Sequence, residues 1–274
     1  MQHHEFFFDY KKHKLFGQYW LPKDCKAIIL LVHGMGEHST RYTDYVIPEL
    51  LAKHIGIITY DNFGHGKSSG KRGHCPSYEA LMEVIDIVYH KAKETVSDLP
   101  IFLYGHSMGG NLVINYILRS DLKVAGAILT SPFLRLAFQP PAWKMMMGKL
   151  FQKIAPSITL PSGLDANAIS RVPEEVEKYK NDPLVHDKVS PNFSLPIIKA
   201  GKWVMTKASQ LETPILLMHG TADQVTSYAA SQELSEQTDY IDFIPFKDGY
   251  HELHNDLDKE KLITTAVFWI EDKM

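Results

Sequence analysis

The 274-residue sequence has only two cysteines, no apolar stretch near the roughly 20 residues that cross a bilayer, and no marked excess of charge of either sign. Each shortage excludes something. Cys25 and Cys75 lie far apart and neither sits in a paired spacing, so a zinc ribbon, dithiol redox chemistry and a disulfide framework are not expected. Two free thiols suit a reducing compartment. Lys and Arg total 29 against 32 Asp and Glu, which gives no field of the kind that gathers nucleic acid by counterion release. The opening stretch "MQHHEFFFDYKKHK" has no apolar core followed by a small-residue cleavage site. The expectation is a soluble, cytoplasmic protein without a nucleic-acid partner.

With 45% hydrophobic and 22% charged residues, the chain can build one substantial core or one core carrying a large insertion. Short, near-continuously apolar runs recur: "AIILLVHG" (27–34), "IGIITYD" (55–61), "IFLYGHS" (101–107), "VAGAILTSP" (124–132) and "TPILLMHG" (213–220). Such runs fit strands buried on both faces of a parallel sheet. "EFFFDY" and "KLFGQYWLP" read as an antiparallel edge pair, and "DYIDFIPF" (239–246) as the last strand. Helical patterns fall between them, at 42–54, 77–97, from Ser107 onward, 227–237 and 258–272. This alternation predicts a doubly wound α/β domain with a mostly parallel central sheet flanked by helices. The rhythm breaks between Pro132 and Thr213, where eight prolines and no clear buried strand occur. A structureless loop of that length is abnormal inside a compact domain, so 133–208 is read as an inserted helical cap on a core formed by 1–132 and 209–274.

"GHSMG" (105–109) fits the G-x-S-x-G elbow, with a strand before it and the helix-compatible "GNLVINYILRS" after it. Ser107 is the candidate nucleophile. A serine needs a base, and the base an orienting acid, which in this topology follow in the order Ser, Asp or Glu, His at the ends of later strands. Asp223, past "LLMHG", and His251, past the last strand, satisfy that order. The competing role for Asp223 is a turn-forming aspartate before the helix near Ser227. His251 is preferred to His254 because it lies closer to the strand end and follows Gly249; His254 is left to line the pocket. Glu252 and Asp256 read as solvated carboxylates at a helix start. An oxyanion hole needs two backbone N–H donors, expected from Met108 and from Met35 in the loop after the first parallel strand. "DNFGHGKSSG" (61–70) lacks both phosphate-loop spacings, and His33, His65 and His106 lack ligand spacing, so no nucleotide, metal or other cofactor is expected.

"HGMGEHSTRY", "YDNFGHGKSSG", "RGHCPSYEAL", "LYGHSMGGN", "YKNDPLVHD", "HGTADQVTS" and "GYHELHND", in this order, resemble the monoacylglycerol lipases of the α/β-hydrolase fold, from about residue 12 to the C-terminus. Neighbouring lysophospholipase-like hydrolases share the signature. The resemblance implies Ser107, Asp223 and His251 as a triad and Met35 and Met108 as oxyanion donors. It also implies that Glu37, Arg41 and His254 surround a small polar chamber for the glycerol head. Glu37 and Arg41 admit a plainer role as an ion pair at a helix start. In the cap, "AWKMMMGKLFQKI" places Trp143, Met146, Met147, Leu150, Phe151 and Ile154 on one stripe. That stripe reads as core, or else as the wall of an acyl tunnel or a face for transient membrane contact. The expected activity is hydrolysis of monoacylglycerols to fatty acid and glycerol, with a lysophospholipase or broad-specificity carboxylesterase as the alternative. An aminopeptidase would need an acidic cluster for its substrate amine, for which Glu37 alone is thin support.

Overall fold

The apolar runs become strands because each can be covered from both sides. The structure is a computed structural model and describes residues 2–274, apart from the side chain of Lys144. Ten strands occur among the described residues: β1 Gln2–Tyr10, β2 His13–Leu21, β3 Ala27–Val32, β4 Ile55–Tyr60, β5 Ile101–His106, β6 Gly126–Thr130, β7 Leu160–Pro161, β8 Lys188–Val189, β9 Ile215–Gly220 and β10 Ile241–Phe246. Eight form one sheet in the order β1-β2-β4-β3-β5-β6-β9-β10, and the two-residue β7 and β8 pair with each other. β1, β2 and β4 are joined antiparallel and every later pairing in the large sheet is parallel. The two-residue side-chain period divides β3 cleanly. Ile28, Leu30 and Val32 enter one core cluster and Ala27, Ile29 and Leu31 the other.

The helices are α1 Val46–Ala52, α2 Tyr78–Thr95, α3 Met108–Arg119, α4 Ala142–Ile154, α5 Pro173–Asn181, α6 Pro191–Met205, α7 Tyr228–Ser235 and α8 Lys259–Lys273. α1 and α8 cover one face of the sheet, and α2, α3 and α7 the other. The helix expected over 42–54 is shorter than its pattern: Ser39–Tyr42 forms a 3₁₀ turn and α1 begins at Val46. No helix among the described residues is long and apolar enough to cross a membrane.

Between β6 and β9 the chain leaves the sheet and forms α4, α5 and α6. α6 is tied into the main core by Phe193, Ile197, Ala200 and Val204, and its Gly201 lies so close to the Leu134 carbonyl that a side chain there would collide with it. α5 contributes Val176 and Tyr179 to a small cluster with Ile169. α4 differs from the core reading of its stripe, since none of its described residues is fully buried. Met147 and Phe151 turn to a cavity, whereas Met146 and Ile154 are 66% and 67% exposed.

Candidate active site

Ser107 directly follows β5 and precedes α3 with φ 53° and ψ −113°, a conformation that L-residues rarely adopt. The neighbouring strands enforce the turn. A side chain at Gly105 would strike the Gly109 carbonyl, and one at Gly109 the Val32 carbonyl, so both positions require glycine. The Ser107 amide donates to the Thr130 carbonyl at 2.9 Å, which fixes the corner to β6.

The Ser107 hydroxyl donates to His251 Nε2 at 2.9 Å, and His251 Nδ1–H donates to Asp223 Oδ2 at 2.8 Å. All three side chains are buried. Asp223 also forms the turn considered as its competing role: its Oδ1 accepts the amides of Val225 and Thr226 at 2.7 and 3.0 Å. Its Oδ2 further accepts the Thr226 hydroxyl at 2.8 Å and His219 Nε2–H at 3.0 Å. α7 is capped instead by Ser227, whose hydroxyl accepts the Ala230 amide. Burial opposes ionisation of Asp223, but attraction to His251 and the bonds from His219 and His251 outweigh it and hold the carboxyl well below the usual carboxylate range. For His251 burial disfavours the imidazolium, yet Asp223, helped by Glu252 and Glu37, raises its pKa above 6.5.

The loop after β3 is pinned on both sides of Met35. His33 Nδ1–H donates to the Gly34 carbonyl at 2.7 Å, while the Gly34 amide donates to Glu37 Oε1 at 2.5 Å. The Gly36 amide donates to His65 Nε2 at 3.1 Å. Because the Gly34 carbonyl and the Met35 N–H belong to one trans peptide group, holding the oxygen aims the N–H the opposite way. Neither the Met35 nor the Met108 amide has a hydrogen-bond acceptor among the described residues. The Met108 amide also stands at the positive end of α3. His33, His65 and His106, whose spacing argued against a metal, engage protein groups: His33 Nε2 accepts the Asn62 amide at 3.0 Å, and His106 Nδ1 meets the Thr130 hydroxyl at 3.1 Å.

A cavity of about 790 Å³ opens over Ser107. Gly34, Met35, Glu37, His251 and Glu252 stand at its serine end, and Met145, Met147, Gly148, Phe151, Leu195 and Ile198 line it from α4 and α6. Of the three residues expected around a polar chamber, Glu37 reaches this wall and Arg41 and His254 do not. Arg41 forms the i,i+4 pair with Glu37 at 3.2 Å but is held bidentate by Glu252, at 2.6 and 2.9 Å. His254 is stacked on Tyr42 at 4.7 Å and packed edge-on to His106, and burial pushes its pKa down to about 4. Glu37 is pushed up by burial against the pull of Arg41, and Glu252, equally buried, is drawn down to about 2 by Arg41. Glu252 and Asp256 are therefore not the solvated carboxylates the sequence suggested. Asp256 accepts Arg171 Nε–H at 2.9 Å and the Tyr250 amide at 2.9 Å. Glu252 sits 211 positions from Arg41, and no local pattern announces such a pair.

A mostly parallel sheet of this order, with a serine at the strand–helix elbow and an acid and a histidine after later strands, defines the class of α/β-hydrolases. Residues 23–258 match the family model of serine aminopeptidase, S33. The chain is 32% identical over 251 residues to monoglyceride lipase of Rattus norvegicus, covering 89% of this chain and 81% of that protein. The crystal structure of Paleococcus ferrophilus monoacylglycerol lipase superposes with a TM-score of 0.88 at 33% identity, covering 95% of this chain and 99% of that one. An uncharacterized abhydrolase domain-containing protein of Dictyostelium discoideum is 35% identical over 266 residues, and the chain spans 27% of that relative's length. The chain belongs to the monoglyceride lipase-like serine hydrolases of the S33 family.

Proposed function

We propose that this protein hydrolyses monoacylglycerols to free fatty acid and glycerol. The observation that carries the reading is the Ser107–His251–Asp223 chain of hydrogen bonds at the foot of a cavity whose far wall is apolar. In this reaction His251 takes the Ser107 proton as Oγ attacks the ester carbonyl, and the amides of Met35 and Met108 hold the developing oxyanion. Collapse of the tetrahedral species breaks the ester C–O bond and passes the proton to glycerol. Water, activated by the same histidine, then releases the fatty acid from Ser107. None of these steps calls on a metal or cofactor. Segment 133–208 acts as the cap, its inner side holding the acyl chain; Met145, Met147 and Phe151 supply adaptable apolar contacts. The exposed side of α4, with Met146, Leu150 and Ile154, suits transient contact with a lipid surface, placing a cytoplasmic enzyme at the periphery of membranes.

A lysophospholipase needs cations for its phosphate, and among the described residues the cavity wall carries no Lys or Arg. The test is fatty-acid release from a long-chain monoacylglycerol beside the matching lysophosphatidylcholine, a short-chain nitrophenyl ester and an aminoacyl amide. Preference for the monoacylglycerol is expected. Turnover of the short ester alone would make the protein a general esterase. The raised pKa of His251 sets the pH profile as well. The base is active only when neutral, so kcat/KM should fall as pH drops through a value above 6.5. An acid limb below 6.5 would show that burial outweighs the attraction of Asp223 at His251.

A further inference from the structure

The serine end of the cavity carries an unbalanced charge. Glu37 and Glu252 are on its wall, while Arg41, the guanidinium paired with both, is not. Asp223, behind His251, adds a third carboxylate. Before proton transfer these groups face one guanidinium, so this end is negative even where burial keeps a proton on Glu37. Glu37 also stands close to the nucleophile. A methyl group placed on Gly34 would lie 2.8 Å from Glu37 Oε1 and 3.3 Å from Ser107 Cβ, so a single methyl spans the gap between them. Glu252 is held in place by Arg41 and by Asn255 Nδ2, which donates to it at 2.8 Å. In a cavity walled largely by apolar side chains such charge is poorly screened and acts on whatever alcohol the ester carries.

We propose that this end of the cavity selects the leaving alcohol by charge, accepting acyl esters of cationic amino alcohols as a further substrate class beside neutral glycerol esters and rejecting esters of anionic alcohols. The proposal rests on the reading of Ser107 as the nucleophile. It adds no new chemistry. The bond from Ser107 Oγ to the acyl carbon forms, the ester C–O bond to the amino alcohol breaks, the serine proton leaves with that alcohol, and water later frees the acid. The cation adds a positive charge next to the imidazolium formed on His251, and the carboxylates offset both.

The test compares lauroylcholine with 3,3-dimethylbutyl laurate, which has the same shape with carbon in place of the charged nitrogen, beside monolauroylglycerol and 1-lauroyl glycerol 3-phosphate. For the wild type, kcat/KM for the choline ester is expected to exceed that of its carbon isostere by about tenfold or more, with the phosphate ester slowest. In Glu252→Gln, which keeps the shape and removes one charge, the choline preference should shrink at least several-fold. Equal rates for the charged ester and its isostere in the wild type overturn the proposal whether or not the variant folds. A preference unchanged in a folded Glu252→Gln overturns it too. Monolauroylglycerol separates this result from the reading beneath it. If it is cleaved and the charged pair shows no difference, only the charge selection falls; if it is not cleaved and the choline ester is, only the monoacylglycerol reading falls. Turnover of none removes both.

Discussion

Ser107→Ala is expected to lower kcat for monoacylglycerol by about 10⁴- to 10⁶-fold, the loss seen when a triad nucleophile is removed. The size follows from the geometry. The Ser107 hydroxyl is the one donor that meets His251 Nε2 among the described residues. The protein should remain folded, because the change removes one hydrogen bond and leaves Gly105, Gly109 and the Ser107 backbone bond to Thr130 untouched. A fluorophosphonate probe should label the wild type and not the variant. Thermal unfolding would report a midpoint within a few degrees of the wild type. A folded variant retaining more than about a hundredth of the activity would show that some other group attacks the ester.

The parallel sheet was legible because its strands carry their signal locally: β3, β4, β5, β6 and β9 are buried along their whole length and read as unbroken apolar runs. The elbow was legible because both required glycines fall in one five-residue motif, although the carbonyl that excludes a side chain at 109 belongs to Val32, far away in the chain. What stayed hidden depends on distant parts of the chain. Glu252 follows the candidate base directly, yet its burial is decided by Arg41, which the Ser39–Tyr42 turn delivers from the opposite end of the sequence. The stripe on α4 gave the helix and left its surroundings open between core, tunnel wall and lipid-facing surface. Periodicity reports which residues share a face, but the same apolar face can meet a core, a cavity or solvent. Here Met147 and Phe151 meet the cavity and Met146 and Ile154 meet solvent.

Asp223→Asn is expected to cost about 10⁴-fold in kcat, nearly as much as loss of the nucleophile, although it replaces one oxygen by an amide nitrogen. Every partner of Asp223 is a donor in the native arrangement: two backbone amides on Oδ1, and His251, His219 and the Thr226 hydroxyl on Oδ2. An asparagine must turn its NH₂ toward one of these sets. The backbone amides of Val225 and Thr226 cannot become acceptors, whereas a histidine can exchange tautomers and a hydroxyl can rotate, so the NH₂ goes to the histidine side. His251 then accepts at Nδ1 and carries its proton on Nε2, where it donates to Ser107 instead of receiving the serine proton. The base is lost while the heavy-atom geometry survives. The attraction of Asp223 for the imidazolium also disappears, so the pKa of His251 falls and the acid limb of the residual kcat/KM profile should move to lower pH than in the wild type. Measuring that limb separates the electrostatic loss from simple misfolding, which would scale the whole profile down without shifting it. Activity within tenfold of the wild type would mean that Thr226, whose hydroxyl lies 3.3 Å from His251 Nδ1, orients His251 without the carboxylate, and Asp223 would then be no more than the turn-former that its bonds to Val225 and Thr226 already make it.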